Sequence, residues 1–408
     1  MKPVKHIEYI DGLPDKGIKV DWKLVKREYK KLNIPSQYHY PLNCDPTQCG
    51  YAIDMSDRSR GKTTNKLILG LILYRLYGIK MTYIRQSKND VTKQNLETLY
   101  ETVISCDYIS KIFDDEFNSC FYYGHRWRLC RYNDMGELEE KAEDFFTFCC
   151  GLDQSDSLKS TTNMPTGDMI FFDEFISTTY GYSDFIRFSD ICKTIIRDRI
   201  SPIIFMSSNT INMDSQWFAE FDIQDAVRCM GAGDYQYIES EGGTRIFLEI
   251  LGVDTSEKRM QVNKRFWGFN NPKLLSIQGD MNKGVWATDN YQRIPQDVRG
   301  VEVQTLLTRL YIENSGKIVR LRLVNHDNLG LCVYVEPAKE LRPDSIVLTA
   351  GDIIDERYIF GFGRGTFIEQ FFELRKKNKW YYARNAEGNF VKNYIALVKS
   401  TMMANFMT

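Results

Sequence analysis

Residues 51–64, Tyr-Ala-Ile-Asp-Met-Ser-Asp-Arg-Ser-Arg-Gly-Lys-Thr-Thr, constrain this chain more than any other stretch. Alternation over residues 51–55 predicts a short strand, the polar run after it a turn, and the apolar residues from Asn65 onward a helix. In the order strand, Gly-Lys-Thr loop, helix, backbone N–H groups and the helix N-terminus converge on phosphate oxygens. A lysine then reaches the β and γ oxygens, and a hydroxyl ligates magnesium. Lys62 and Thr63 are the candidates for those posts, with Gly61 and Thr64 beside them. Ser56 stands where such loops have their first glycine, so the match is a degraded one, and a Gly-Lys-Thr in a surface turn carries no such chemistry.

A second feature answers the first about a hundred residues on. Residues 169–172, Met-Ile-Phe-Phe, read as a fully buried strand that ends in Asp173-Glu174. Asp173 is suited to ordering a magnesium shell and Glu174 to polarising the attacking water, so that catalysis is positioning plus charge stabilisation. An acidic pair capping a helix would read the same in isolation; with the phosphate loop it points to ATP hydrolysis with Mg2+. A further buried strand, residues 203–206, ends in Ser207-Ser208-Asn209, where Asn209 is a candidate to sense the γ-phosphate or the water. Apolar strands with polar ends are the ligand-binding edge of a parallel sheet.

The succession from residue 51 to about 105 is βαβα: an apolar crossover helix closed by Gly78, a strand at residues 80–85, and a helix with Leu96, Leu99 and Val103 on one face. An amphipathic helix beginning near Asp21, with Trp22, Val25, Tyr29 and Leu32 on its apolar side, precedes it. Residues 106–165 read as an antiparallel excursion with an acidic turn at residues 137–144 and a polar loop at 155–162 that holds Lys159. A helix with Phe185, Ile186, Phe188, Ile191 and Ile195 on its apolar side follows the acidic pair. The expected domains are an ATPase domain at 1–240, its last strand at 245–251, a linker or small subdomain at 241–290, and a mostly stranded C-terminal domain at 291–408. Strands at 318–324 and 331–336 and a helix at 367–377 are its clearest elements.

Charge and cysteine usage exclude several classes. Residues 1–240 carry 29 Lys+Arg against 35 Asp+Glu and residues 241–408 carry 24 against 19, so the C-terminal part is the better partner for a polyanion. Ten cysteines without a Cys-x-x-Cys pair, and four scattered histidines, do not make a zinc site. The longest apolar run, residues 67–73, is far short of a membrane span, and Lys2 and Lys5 precede charged sequence rather than a secretory core. A cytosolic setting is expected.

The run Ser56-Asp57-Arg58-Ser59-Arg60-Gly61-Lys62-Thr63 resembles the deviant phosphate loop of phage DNA-packaging ATPases, with Arg58 at the position of the arginine inside that loop. Phe171-Phe172-Asp173-Glu174-Phe175, and Arg197-Asp198-Arg199 ahead of Phe205-Met206-Ser207-Ser208-Asn209, resemble the later motifs of the same family, the small tailed-phage DNA encapsidation proteins related to the terminase large subunit. The likeness covers residues 45–250 well and the rest loosely. It implies a P-loop ATPase domain with a mostly parallel sheet, then a smaller α+β domain shaped like a degenerate ribonuclease-H-like nuclease. It also implies a homo-oligomeric ring, in the host cytoplasm and transiently at the portal vertex of a procapsid, that drives double-stranded DNA inward. The portal protein and a structural RNA are the implied partners, and no membrane is.

A ring sets one subunit's edge against its neighbour's nucleotide, which makes Arg197 and Arg199 candidates for an arginine acting across the joint, with Lys159 a weaker one. The alternative is that these arginines pair with surface acids such as Asp198 or Asp190. Arg320 and Arg322 occupy strand 318–324 without a central carboxylate, the nearest acid being Asp327, so nuclease chemistry is expected to be lost. A terminase with a live nuclease lacks its acid triad here. A helicase-like translocase lacks its further motifs, and a nucleotide-binding scaffold without turnover has no use for Glu174.

Overall fold

The computed structural model describes residues 8–56, 60–159, 167–176, 181, 183–209, 215–231, 233–252, 261, 265, 305–314, 316–326, 329–362 and 366–407. The chain divides into two compact units, one formed by Met1–Ser177, Ser183–Ile211 and Asp225–Arg259, the other by Thr178–Tyr182, Asn212–Gln224 and Met260–Thr408.

Among the described residues the first unit carries a ten-stranded sheet. Its strands are β1 (Tyr51–Met55), β2 (Met81–Arg85), β3 (Ser119–Tyr123), β4 (Arg126–Tyr132), β5 (Leu138–Lys141), β6 (Thr147–Gly151), β7 (Met169–Asp173), β8 (Ile203–Ser208), β9 (Tyr235–Glu239) and β10 (Arg245–Ile250). Their order is β3-β4-β6-β2-β7-β8-β1-β10-β9, with β5 beside β4. The six central strands, β6 to β10 in that order, run parallel. β9 and the β3–β5 excursion are antiparallel. The mixed α/β architecture with a mostly parallel sheet is therefore as the sequence implies, and residues 245–250 complete this sheet against β1.

The helix Lys62–Tyr77 follows β1 and is buried nearly all round between residues 65 and 74, as its unbroken apolar composition requires. Gly78, at φ 68°, closes it, and Gly78 N–H donates to Tyr74 C=O at 2.9 Å. Helix Trp22–Lys31 begins where Asp21 Oδ1 accepts from the N–H groups of Lys23 and Leu24, and it buries Val25 and Tyr29.

Several local expectations are corrected. The single helix carrying Leu96, Leu99 and Val103 is two short ones, Lys93–Leu96 and Glu101–Ser105, and a third, Tyr108–Phe113, opens the stretch expected to be an antiparallel excursion. β-Branched Thr98, Thr102, Val103 and Ile104 weaken the helix, and Tyr100 is drawn fully into the core against Trp127 and Phe146. The acidic turn at 137–144 contains strand β5, the turn being at residues 133–136. The polar loop from 155 begins as helix Ser155–Lys159. Ile186 is exposed on helix Asp184–Ile196, whose buried face is Phe188, Ile191, Cys192 and Ile195.

The second unit has a six-stranded sheet among its described residues. Its strands are β11 (Thr305–Asn314), β12 (Lys317–His326), β13 (Gly330–Ala338), β14 (Ile346–Thr349), β15 (Tyr358–Phe360) and β16 (Trp380–Tyr382), in the order β15-β14-β11-β12-β13-β16. β11, β12 and β13 are antiparallel neighbours, while β14 and β15 extend the β11 side in parallel. Counted from β11, the first five strands stand in the order 3-2-1-4-5, with β16 beyond β13 and parallel to it. Helix Thr366–Lys376 matches expectation, and helix Asn385–Met407, 23 residues long, is an addition to a part expected to be mostly stranded.

Candidate functional site

Parallel strands that enter the sheet from one side leave their C-terminal ends together, and β8 lies between β1 and β7. The phosphate-loop helix after β1, the acidic pair after β7 and the polar end of β8 therefore meet at one edge. Gly61, at φ 67°, takes the left-handed conformation at the start of the helix; a Cβ there would lie 2.8 Å from Tyr38 Cδ1. Lys62 is buried, and its Nζ donates to Ser56 Oγ and, at 2.9 Å, to Asn209 Oδ1. Thr63 Oγ1 donates to the Asp173 carboxylate at 3.0 and 3.2 Å. Thr64 follows, half-buried, in the same turn.

Asp173 is 4% exposed. It accepts from Tyr83 Oη at 3.0 Å and has Arg85 Nη1 3.6 Å away. Burial raises its carboxyl above the usual range, although Arg85, Tyr83 and Thr63 all favour the ionised form. Glu174 is at φ 54°, an uncommon conformation for a residue with a side chain. Its Oε1 accepts from Asn209 Nδ2 at 2.9 Å and its Oε2 from Arg85 Nη2 at 3.2 Å. Asn209 is thus shared between the lysine and the glutamate.

Lys62, Thr63, Asp173, Glu174 and Asn209 are brought together, and Arg58 lies outside the described residues. Lys159 closes helix Ser155–Lys159. Arg197 and Arg199 are not part of the cluster within the subunit, because they precede the start of β8, at the opposite end of the sheet. Arg199 Nη1 donates to the buried Asp168 Oδ2 at 2.8 Å. Arg197 is exposed. Tyr83 and Arg85, at the end of β2, are the site residues that motif reading passed over, although the same rule of polar residues at parallel strand ends applies to Arg85.

A hydroxyl and a carboxylate 3.0 Å apart are a fit for one small divalent cation, and a buried lysine amine above a glycine turn is a fit for phosphate oxygens. In the second unit, Arg320 Nε donates to Glu336 Oε1 at 2.8 Å and Arg322 Nη1 lies 3.6 Å from Glu336 Oε2. No group of three or more His, Cys, Asp or Glu among the described residues is arranged to hold a metal, and Asp327 lies outside them.

No protein-family model and no curated protein matches the chain. Two solved structures that it resembles are a phi28 DNA-packaging motor and the bacteriophage phi29 viral genome packaging motor assembly. The first is 16% identical with a TM-score of 0.50, covering 89% of this chain and 98% of that one. The second is 15% identical with a TM-score of 0.52, covering 89% and 100%. The chain has the fold of a phage DNA-packaging motor protein. This likeness is one of fold, and it extends over the C-terminal part, which the motifs cover only loosely.

Proposed function

We propose that the chain is an ATPase subunit of a viral genome-packaging motor, a homo-oligomeric ring that moves double-stranded DNA into a preformed procapsid. What carries the reading is the junction of Lys62, Thr63, Asp173, Glu174 and Asn209 at one edge of the sheet, within a packaging-motor fold. Gly61, Lys62 and Thr64 would cradle the phosphates of ATP, and Thr63 and Asp173 would hold Mg2+. The ion supplies positive charge against the β- and γ-phosphate oxygens when bound.

The chain's own groups do the rest. Lys62 binds and orients the γ-phosphate, and in doing so gives up Asn209 or Ser56. Each Glu174 oxygen accepts from one donor, Oε1 from Asn209 and Oε2 from Arg85, and keeps a lone pair for a water, so these two donors fix the direction in which the carboxylate faces that water. Asn209, which accepts from Lys62 through Oδ1 and donates to Glu174 through Nδ2, links phosphate contact to the position of that carboxylate. Across a ring joint, Arg197 is the better placed of the two arginines to meet a neighbour's γ-phosphate, since it is exposed while Arg199 is held by Asp168. The C-terminal part, residues 241–408, with its basic balance, serves as the docking part for the portal or its structural RNA.

Phosphate release by the purified chain, measured with and without double-stranded DNA, tests the reading. The expected result is ATP turnover that DNA stimulates and Lys62→Ala removes together with nucleotide binding. Turnover that survives Lys62→Ala, or none in the unaltered chain, contradicts it.

A further inference from the structure

Beneath the phosphate loop lies a polar cluster that this chemistry does not use. Asp54, Lys66 and Ser207 are 3%, 0% and 0% exposed. They come from three elements: β1, the phosphate-loop helix and β8. Lys66 Nζ donates to Asp54 Oδ2 and, at 2.9 Å, to Ser207 Oγ. Ser207 Oγ in turn donates to Asp54 Oδ1 at 3.0 Å, closing a triangle. Strand register places Asp54 opposite Ser207, and Phe171 and Phe205 wall the amine, their ring centres 5.5 and 6.0 Å from Lys66 Nζ.

Fold stability alone gives little reason for such an arrangement. Desolvating a buried ion pair costs about what its attraction returns, and apolar replacements are often neutral or better. What the triangle does fix is the position of β8 against the helix. Lys62 lies one helical turn before Lys66, on the same face. Asn209 lies two residues beyond Ser207, so both point toward the nucleotide edge from a common anchor. Lys62 and Asn209 are then joined directly at 2.9 Å, and Asn209 to Glu174 at 2.9 Å. A shift of the helix at the phosphates must carry the end of β8 with it or break the buried pair.

We infer that Asp54, Lys66 and Ser207 are positioning residues, a latch that couples the phosphate-binding end of the site to Glu174 through Asn209. The inference rests on the ATP-hydrolysis reading above. It predicts a loss in turnover and not in binding, because the three residues are buried beneath the loop and place the groups that orient Glu174.

The test uses Ser207→Ala, which leaves the ion pair in place, and the double variant Lys66→Met with Asp54→Asn, which leaves no lone buried charge. Each is measured for ATP affinity at equilibrium and for kcat of phosphate release, alone and combined with Asn209→Ala. The expected result is ATP affinity within about threefold of the unaltered chain and kcat about tenfold lower. In the Asn209→Ala background no further loss is expected, because residues acting through one another are not additive. Equal losses in both backgrounds, unchanged kcat, or a loss confined to ATP affinity would overturn the latch. If the double variant does not fold, Ser207→Ala decides by the same criteria. An unaltered chain that turns over ATP while its variants do so equally well sinks the latch alone; one without turnover sinks both the latch and the ATPase reading.

Discussion

At Asp173 burial raises the carboxyl above its ordinary value, against the opposing pull of Arg85, Tyr83 and Thr63. An acid with a raised folded-state pKa favours the fold below its unfolded value, about pH 4, and that contribution is lost as pH rises through the folded value. Asp173→Asn is therefore expected to raise the Tm of the metal-free chain at neutral pH and to change it little near pH 3.5, while abolishing Mg2+-dependent turnover; a lowered neutral Tm would contradict this. Asp54 behaves oppositely. Burial alone would raise it, but the charges of Lys66, His39 and Lys62 outweigh burial and bring it below the usual range. Its stabilisation is present above about pH 4 and fades as acid carries the carboxyl through its depressed value. Asp54→Asn should accordingly lower the Tm at pH 7, with the gap to the unaltered chain narrowing in acid. Lys62, Thr63, Asp173, Glu174 and Asn209 were legible in the sequence because their types and strand-end positions match a known chemistry. Asp54 and Lys66 were not, because one looks like ordinary strand alternation and the other like a surface lysine until the helix is found buried all round.

Among the elements, the strand–loop–helix unit depends most sharply on one residue. Gly61→Ala places a side chain at φ 67° and sets its Cβ 2.8 Å from Tyr38 Cδ1, so Tyr38 must move. The backbone conformation alone costs about 1–2 kcal/mol for a residue with a Cβ. Denaturant unfolding is expected to show at least that loss, and equilibrium titration a weaker affinity for ATP; an unchanged midpoint would mean that the loop adopts another conformation. Long periodic or fully apolar segments, such as Lys62–Tyr77, β7 and β8, were readable because burial on all sides leaves its mark on every residue. The three short helices between residues 93 and 113 were not, since the core placement of Tyr100 overrides a helical period. β6 was hidden for a similar reason: its apolar run follows an antiparallel excursion, and only pairing with β2 reveals it as part of the parallel sheet.

For the molecule as a whole, the strand order places β8 between the phosphate loop and the acidic pair, and this long-range pairing makes the site. No local pattern specifies it. In the second unit the strands at 318–324 and 331–336 and the helix at 367–377 were legible, and the final helix was missed because glycine and asparagine at 388, 389 and 393 disguise a helical period. The basic balance of residues 241–408 predicts polyanion binding that weakens steeply with salt, as released counterions drive such contacts. Since Arg320 and Arg322 already engage Glu336, no metal-dependent DNA cutting is expected, and manganese-dependent cleavage lost on Asp327→Ala would contradict that. In a ring, mixing a Lys62→Ala subunit with an Arg197→Ala subunit should restore activity that neither shows alone, whereas no recovery at any ratio would exclude action across the joint. The most direct test of the central claim is single-turnover ATP hydrolysis by Glu174→Gln. The account predicts ATP binding retained and hydrolysis slowed by about 10²–10³; hydrolysis at the unaltered rate would contradict it.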